Sequence, residues 1–256
     1  MGQDEFTDAE SRLDTLFSHM FKVRSDTVRL KVNDSICAII EEYAGSPEIF
    51  YHNFGSLRHL GQVTSPDSLL KIISWNINLE NYSGKYFSYL VLKAGNGKQN
   101  RVIPLRASYS NKTATEDTTY SVTDWYGALY YSIKPVTLNE EKYWVVLGLD
   151  YGNPIITRKL IDVISFDNKG SIVFGKKWFE TNRGMKFRKI FSYASTGMMT
   201  LRFSSDTSIV FDHLVPVSAE NNQVFYGADY SYDSFIYTDG IWKSRMNVDI
   251  RNNEQR

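Results

Sequence analysis

SIVFDHLVPVSAENNQVFYGADYSYDSFIYTDGIWKSRMNVDIR, residues 208–251, decides how the chain folds. Its aromatic and β-branched residues favour pleated strands that bury one face. Thr238-Asp239-Gly240, set between Ser234–Tyr237 and Ile241–Lys243, is a hairpin signature. The stretch also holds a single histidine, His213, next to Asp212, with Asp229, Asp233 and Asp249 following it. What precedes it reads as the scaffold that such a segment closes.

Working back toward the N-terminus, the strand period of two recurs. Met199, Leu201 and Phe203 alternate with Thr200, Arg202 and Ser204, and Phe187–Tyr193 with Met198–Phe203 reads as a hairpin across Ser195-Thr196-Gly197. Asp167-Asn168-Lys169-Gly170 joins Leu160–Phe166 to Ser171–Phe174, with glycine where a left-handed residue is needed. Trp125–Val136 and Lys142–Leu149 form another pair through Leu138–Glu141, followed by a turn at Tyr151–Pro154, and residues 110–121, SNKTATEDTTYS, read as an exposed loop. Earlier still, Ile73, Trp75, Ile77 and Leu79 alternate with polar residues as a half-buried strand after the Ser65–Ser68 turn; Tyr86–Leu92 reads as a central strand and Arg101–Leu105 as a third. Arg183–Lys189 is a run of charge that reads as a solvated face.

Before Phe50 the period changes to that of helices. Thr7 and Glu10 have capping-box spacing, and Leu13, Leu16, Phe17, Met20 and Phe21 make one apolar stripe. Asp26 starts a second helix with Val28, Val32, Ile36, Ile39, Ile40 and Tyr43 on one face, closing at Gly45 before Pro47. The predicted fold is mainly β, an antiparallel meander arranged as a sandwich or as small propeller-like sheets, with an N-terminal helical hairpin. Its layout is a start at 1–6 appended to a mature chain whose export signal has been removed, the helical hairpin at 7–46, the β body at 50–251 and a tail at 252–256.

Composition narrows function by exclusion. Lysine plus arginine equals aspartate plus glutamate at 29 each, so the chain has no overall preference for nucleic acid or anionic lipid. No apolar run of about 18 residues exists, so no transmembrane helix is expected. Cys37 is the one cysteine, which excludes an internal disulfide, and on a helix it reads as a small buried hydrophobe. A nucleophile elbow, a phosphate loop and a zinc-type histidine pair are all missing from the sequence, so no cofactor, catalytic set or metal set is assigned.

WYGALYY at 125–131, KLIDVISFD at 159–167, IVFDHLVP at 209–216 and YGADYSYD at 226–233, in that order, resemble a family of uncharacterised exported proteins from bacteria of the Bacteroidetes group. The resemblance covers the chain from about Phe50 onward. It implies export to the periplasm or beyond, and it brings no catalytic residue with it.

Trp125, Tyr126, Tyr230 and Tyr232 are candidate stacking platforms for a sugar or peptide, because flat rings offer apolar area at low entropic cost. Asp212, His213, Asp229 and Asp233 are the candidate polar partners. Adjacent residues of a strand face opposite ways, so Asp212 and His213 cannot bond to each other as in a triad. Asp229, Ser231 and Asp233 would share a side if extended, as oxygen ligands for calcium should, but turn stabilisation explains them more simply. The expectation is a non-catalytic exported binding or interaction protein that takes a glycan or an envelope protein. The alternative is a hydrolase using these acids and His213.

Overall fold

The two apolar stripes near the N-terminus become helices α1 (Gln3–Lys22) and α2 (Asp26–Ala44). In the computed structural model, the described residues are 3–81, 84–95, 98–107, 116–220 and 223–249. Helix α1 starts four residues before Thr7, so the expected capping box does not form; the Glu10 carboxylate instead accepts from Ser56 N and Oγ at 2.8 and 2.6 Å. Phe6, expected in an appended start, is 2% exposed and belongs to the core. At α2 the cap is Ser25 rather than Asp26, whose carboxylate accepts from Glu80 N, and Gly45 closes the helix in a right-handed conformation. Pro47–Phe50 then makes one 3-10 turn.

The chain divides into two compact units, one of residues 1–107 and 122–130, the other of 108–121 and 131–256. The strands after Phe50 are divided between the two. In the first unit β1 (Gly61–Thr64), β2 (Leu70–Asn78), β3 (Gly84–Leu92) and β4 (Arg101–Arg106) form an antiparallel sheet in that order. Ile73, Trp75 and Ile77 of β2, with Tyr89 and Val91 of β3, meet the stripes of both helices. Each large aliphatic side chain so enclosed adds about 1.5–3 kcal/mol. Trp75 Nε1 donates to the buried Asn33 Oδ1 of α2 at 2.7 Å, which fixes the helix against the sheet while satisfying both polar groups. Burial raises the Cys37 thiol pKa, as suits a packing residue.

The expected polar side of β2 is not solvated. Leu70, Ile72 and Ser74 are fully buried, and so is Lys71 on the helix-facing side. Lys71 Nζ donates to Ile49 O, His52 O and Asn53 Oδ1 at 2.7, 2.6 and 3.1 Å, tying the 3-10 turn and the residues after it to the sheet. Segment 122–130 completes this unit: Trp125 N donates to Arg106 O, and Gly127, at φ +88°, lies where a Cβ would come within 3.2 Å of Ala107 and of the Tyr86 ring.

In the second unit, β5 (Tyr120–Ser121), β6 (Leu129–Leu138, in this unit from Tyr131), β7 (Glu141–Asn153), β8 (Ile156–Phe166) and β9 (Ile172–Phe174) form a sheet in the order β5-β9-β8-β7-β6. The Asp167–Gly170 hairpin forms as expected, with Gly170 at φ +74°. β10 (Phe179–Thr181), β11 (Gly184–Lys186), β12 (Lys189–Ala194), β13 (Leu201–Ser205), β14 (Ser208–Glu220), β15 (Gln223–Thr238) and β16 (Ile241–Arg245) follow. β12 joins β8, while the others make a second sheet in the order β11-β10-β16-β15-β14-β13. The hairpin expected across Ser195–Gly197 is therefore absent: its two strands belong to different sheets. Val145, Leu147, Ile161 and Val163 from one sheet and Ile209, Phe211, Phe235 and Trp242 from the other share one core, which makes this unit a sandwich. One ladder, β10 with β16, is parallel.

Arg188 sits outside that core but is fully buried, in the run expected to be solvated. Its Nε donates to Asp162 Oδ2 at 3.0 Å, one terminal nitrogen donates to Thr118 O at 2.8 Å, the other to Phe174 O at 3.2 Å, and the guanidinium lies 4.3 Å over the Tyr120 ring. Burial pushes the Asp162 carboxyl up, opposed by Arg188 and by the Val163 amide. The expected loop at 110–121 is thus partly tethered: 110–115 lie outside the described residues, whereas Glu116 accepts from Lys189 Nζ and Ile190 N, and Tyr120–Ser121 pair with β9.

Candidate functional site

Strands β14 and β15 are the longest hairpin of the second unit, and the candidate residues lie where it leaves its sheet. Regular pairing runs from Ser208↔Ile236 to Asp212↔Tyr232 and resumes at Leu214↔Ala228, so His213 alone faces Asp229, Tyr230 and Ser231 across a bulge. Two extra residues bend β15 there. Tyr230 takes φ +69°, a left-handed conformation uncommon for a bulky side chain, and its ring is 96% exposed.

The bulge also re-aims the polar groups. His213 and Asp212 diverge, as alternation requires, and His213 Nδ1 meets Asp233 Oδ2 at 2.8 Å instead. Asp233 Oδ1 accepts from Asn247 N at 3.0 Å, so both oxygens of this nearly buried carboxylate are used. Asp212 accepts from Thr200 N at 2.7 Å and returns its own amide to Thr200 O. Asp229 Oδ1 accepts from Ser231 N and Oγ at 3.0 and 2.6 Å, bonds that lower its pKa. These are turn and strand-end ties, the simpler of the readings considered for the acids. Among the described residues no group of three or more His, Cys, Asp or Glu side chains is arranged to hold a metal.

Of the sequence candidates, His213, Asp229, Tyr230 and Asp233 come together, and Tyr232 pairs opposite Asp212 with its carbonyl accepting from Val248 N. Trp125 and Tyr126 belong to the other unit. Trp125 is 1% exposed and donates from Nε1 to Tyr130 Oη at 2.9 Å, so its ring fills core and offers no face to a ligand; Tyr126 is half-buried. Sequence reasoning missed the pairing of His213 with Asp233, because the residues are 20 apart and only the strand register joins them.

The Asp233 bond raises the His213 pKa above 6.5, with the field of Asp229 adding to it and partial burial opposing. The folded state then holds the proton more tightly than the unfolded chain. The pair adds stability that is complete below about pH 6.5 and is lost as pH rises through the folded-state value. For a partly exposed pair the gain is under about 1 kcal/mol. Urea titrations of the native chain and a His213→Gln variant should differ most near pH 6 and converge toward pH 9.

Compared with known protein families, curated proteins and solved structures, the chain matches none of them.

Proposed function

We propose that this chain is an exported, non-catalytic binding protein of a bacterial envelope, holding a glycan or an envelope protein at the β15 bulge. Tyr230 carries the reading: a large aromatic is kept in water, at a backbone angle that costs free energy, beside His213 and Asp229. Strain and exposed aromatic area are both unfavourable in the free protein, and a ring that stacks on a ligand gives each a use. The bound acids support a non-catalytic role, since Asp212, Asp229 and Asp233 each accept from amides that fix the strands. Export rests on the four motifs that carry the family resemblance. No described helix is long and apolar enough to cross a membrane.

A panel of soluble glycans and peptidoglycan fragments tests this by thermal unfolding. A ligand at about a hundred times its Kd stabilises by about 2.7 kcal/mol. Tyr230→Ala should remove the shift while leaving the ligand-free Tm unchanged. A shift that survives Tyr230→Ala, or a flat panel together with no envelope protein retained by the native chain and lost by the variant, would overturn the proposal.

The hydrolase reading keeps one observation, the His213–Asp233 bond, which is the orientation a general base needs. It would require His213→Ala to abolish a turnover that the native chain displays.

A further inference from the structure

Beyond the bulge the hairpin continues as a two-stranded ribbon that, among the described residues, no third strand joins. β13 reaches no further along β14 than Asp212, and β16 pairs β15 only over Ser234–Thr238. Among the described residues, Leu214–Glu220 and Gln223–Ala228 therefore pair only with each other. A lone two-stranded ribbon is marginal in water; three or more strands are needed for independent stability.

Its two edges differ. On β14, Pro216 has no N–H to offer and a second bulge at Val217 interrupts the ladder, the devices that keep an edge from pairing. Val217 also lies over Gly227, where an added Cβ would meet Val217 Cγ1 at 3.0 Å. The β15 edge carries no such protection: Gln223-Val224-Phe225-Tyr226-Gly227-Ala228 has no proline and no charge. Proline is accommodated in a ladder only where its nitrogen faces away from the partner strand. Tyr226, opposite Pro216, therefore turns its own N–H and C=O outward, as do Val224 and Ala228 two residues to either side. Val224 and Tyr226 remain 45% and 40% exposed.

We infer that the chain forms a two-fold dimer by antiparallel pairing of β15 with β15 of a second copy, centred on Tyr226. A two-fold axis there sets Tyr226 against Tyr226 of the partner subunit and Val224 against Ala228 of the partner subunit, and turns two lone ribbons into one four-stranded sheet. An edge whose outward N–H and C=O groups repeat every two residues is complementary to an antiparallel copy of itself, and the absence of charge from Gln223 to Ala228 removes the usual cost of bringing like edges together. A cross-strand tyrosine pair adds to the match.

Sedimentation velocity of the native chain should show a dimer, and Val224→Lys with Tyr226→Lys a monomer that stays folded, with the far-UV circular dichroism of the native chain. In a Cys37→Ser background, Tyr226→Cys should cross-link two copies on mild oxidation, because residues facing each other at such an axis lie within disulfide reach. A native chain that is monomeric up to about 100 µM, a dimer unaffected by the two lysines, or a Tyr226→Cys protein that stays uncross-linked would each overturn the proposal.

Discussion

Arg188→Met should lower the unfolding free energy by about 3–5 kcal/mol, the cost of stranding a buried ion. The methionine keeps most of the stem's volume, so the loss is electrostatic. Asp162 loses the guanidinium at 3.0 Å, and the carbonyls of Thr118 and Phe174 lose their donors. In a chain of this size the Tm should fall by roughly 10 °C. The deficit should shrink as pH falls, since the stranded Asp162, already pushed up by burial, escapes its charge by taking a proton. Adding Asp162→Leu should recover much of the loss, because apolar replacements of a whole buried pair are often neutral or better. An Arg188→Met protein as stable as the native chain, or a double variant worse than the single, would show that the ion pair does not hold β5, β8 and β9 together.

Lys71→Met is the second large effect, expected to cost about 2–5 kcal/mol, because three oxygens within 3.1 Å of Nζ lose their donor at once. No carboxylate is among those partners, and burial brings the Lys71 pKa down to about 8 from 10.5. Between those values the unfolded chain binds more protons than the folded one, so native stability gains a rising contribution as pH goes from about 8 to 10. Denaturant titrations at pH 7.5 and 9.5 should show the native chain gaining on Lys71→Met across that interval, because the neutral amine still donates to its carbonyls while the desolvation cost of the cation is gone. A gap that stays constant or narrows with pH would place the lysine's pKa outside that window.

Both residues show why the interior was only partly legible from sequence. Asp167–Gly170, Thr238–Gly240 and the helix stripes were readable because the signals are local: a turn residue needing positive φ, or apolar spacing of three and four. Alternation in β2 correctly put Ile73, Trp75 and Ile77 on one face, but no period reveals that Leu70, Ile72 and Ser74 on the other face are buried as well. Lys71 and Asp162 did leave a trace, each being a lone charge inside an apolar run, LLKIISW and LIDVISF. A lone charge there demands a buried partner. Arg188 was hidden among the charges of Arg183–Lys189, since burial of one member of a basic run is set by residues 26 and 70 positions away. The same distance effect hid the two-sheet separation of β12 from β13, and it hid the His213–Asp233 pair.

The division of the chain bears on how it is made. The first unit is not finished at Ala107: the polypeptide contributes 108–121 to the second unit before 122–130 returns to complete the first. On a ribosome the helices and β1–β4 therefore emerge without Trp125 and Gly127, and the Arg106 carbonyl waits for the Trp125 amide. Each unit owns a segment whose placement depends on the other's chain path, so the two must mature together rather than strictly one after the other. A genetic cut at residue 107 would sever the first unit from its closing segment, whereas exchange of homologous pieces would respect the architecture only if 108–121 travelled with 131–256.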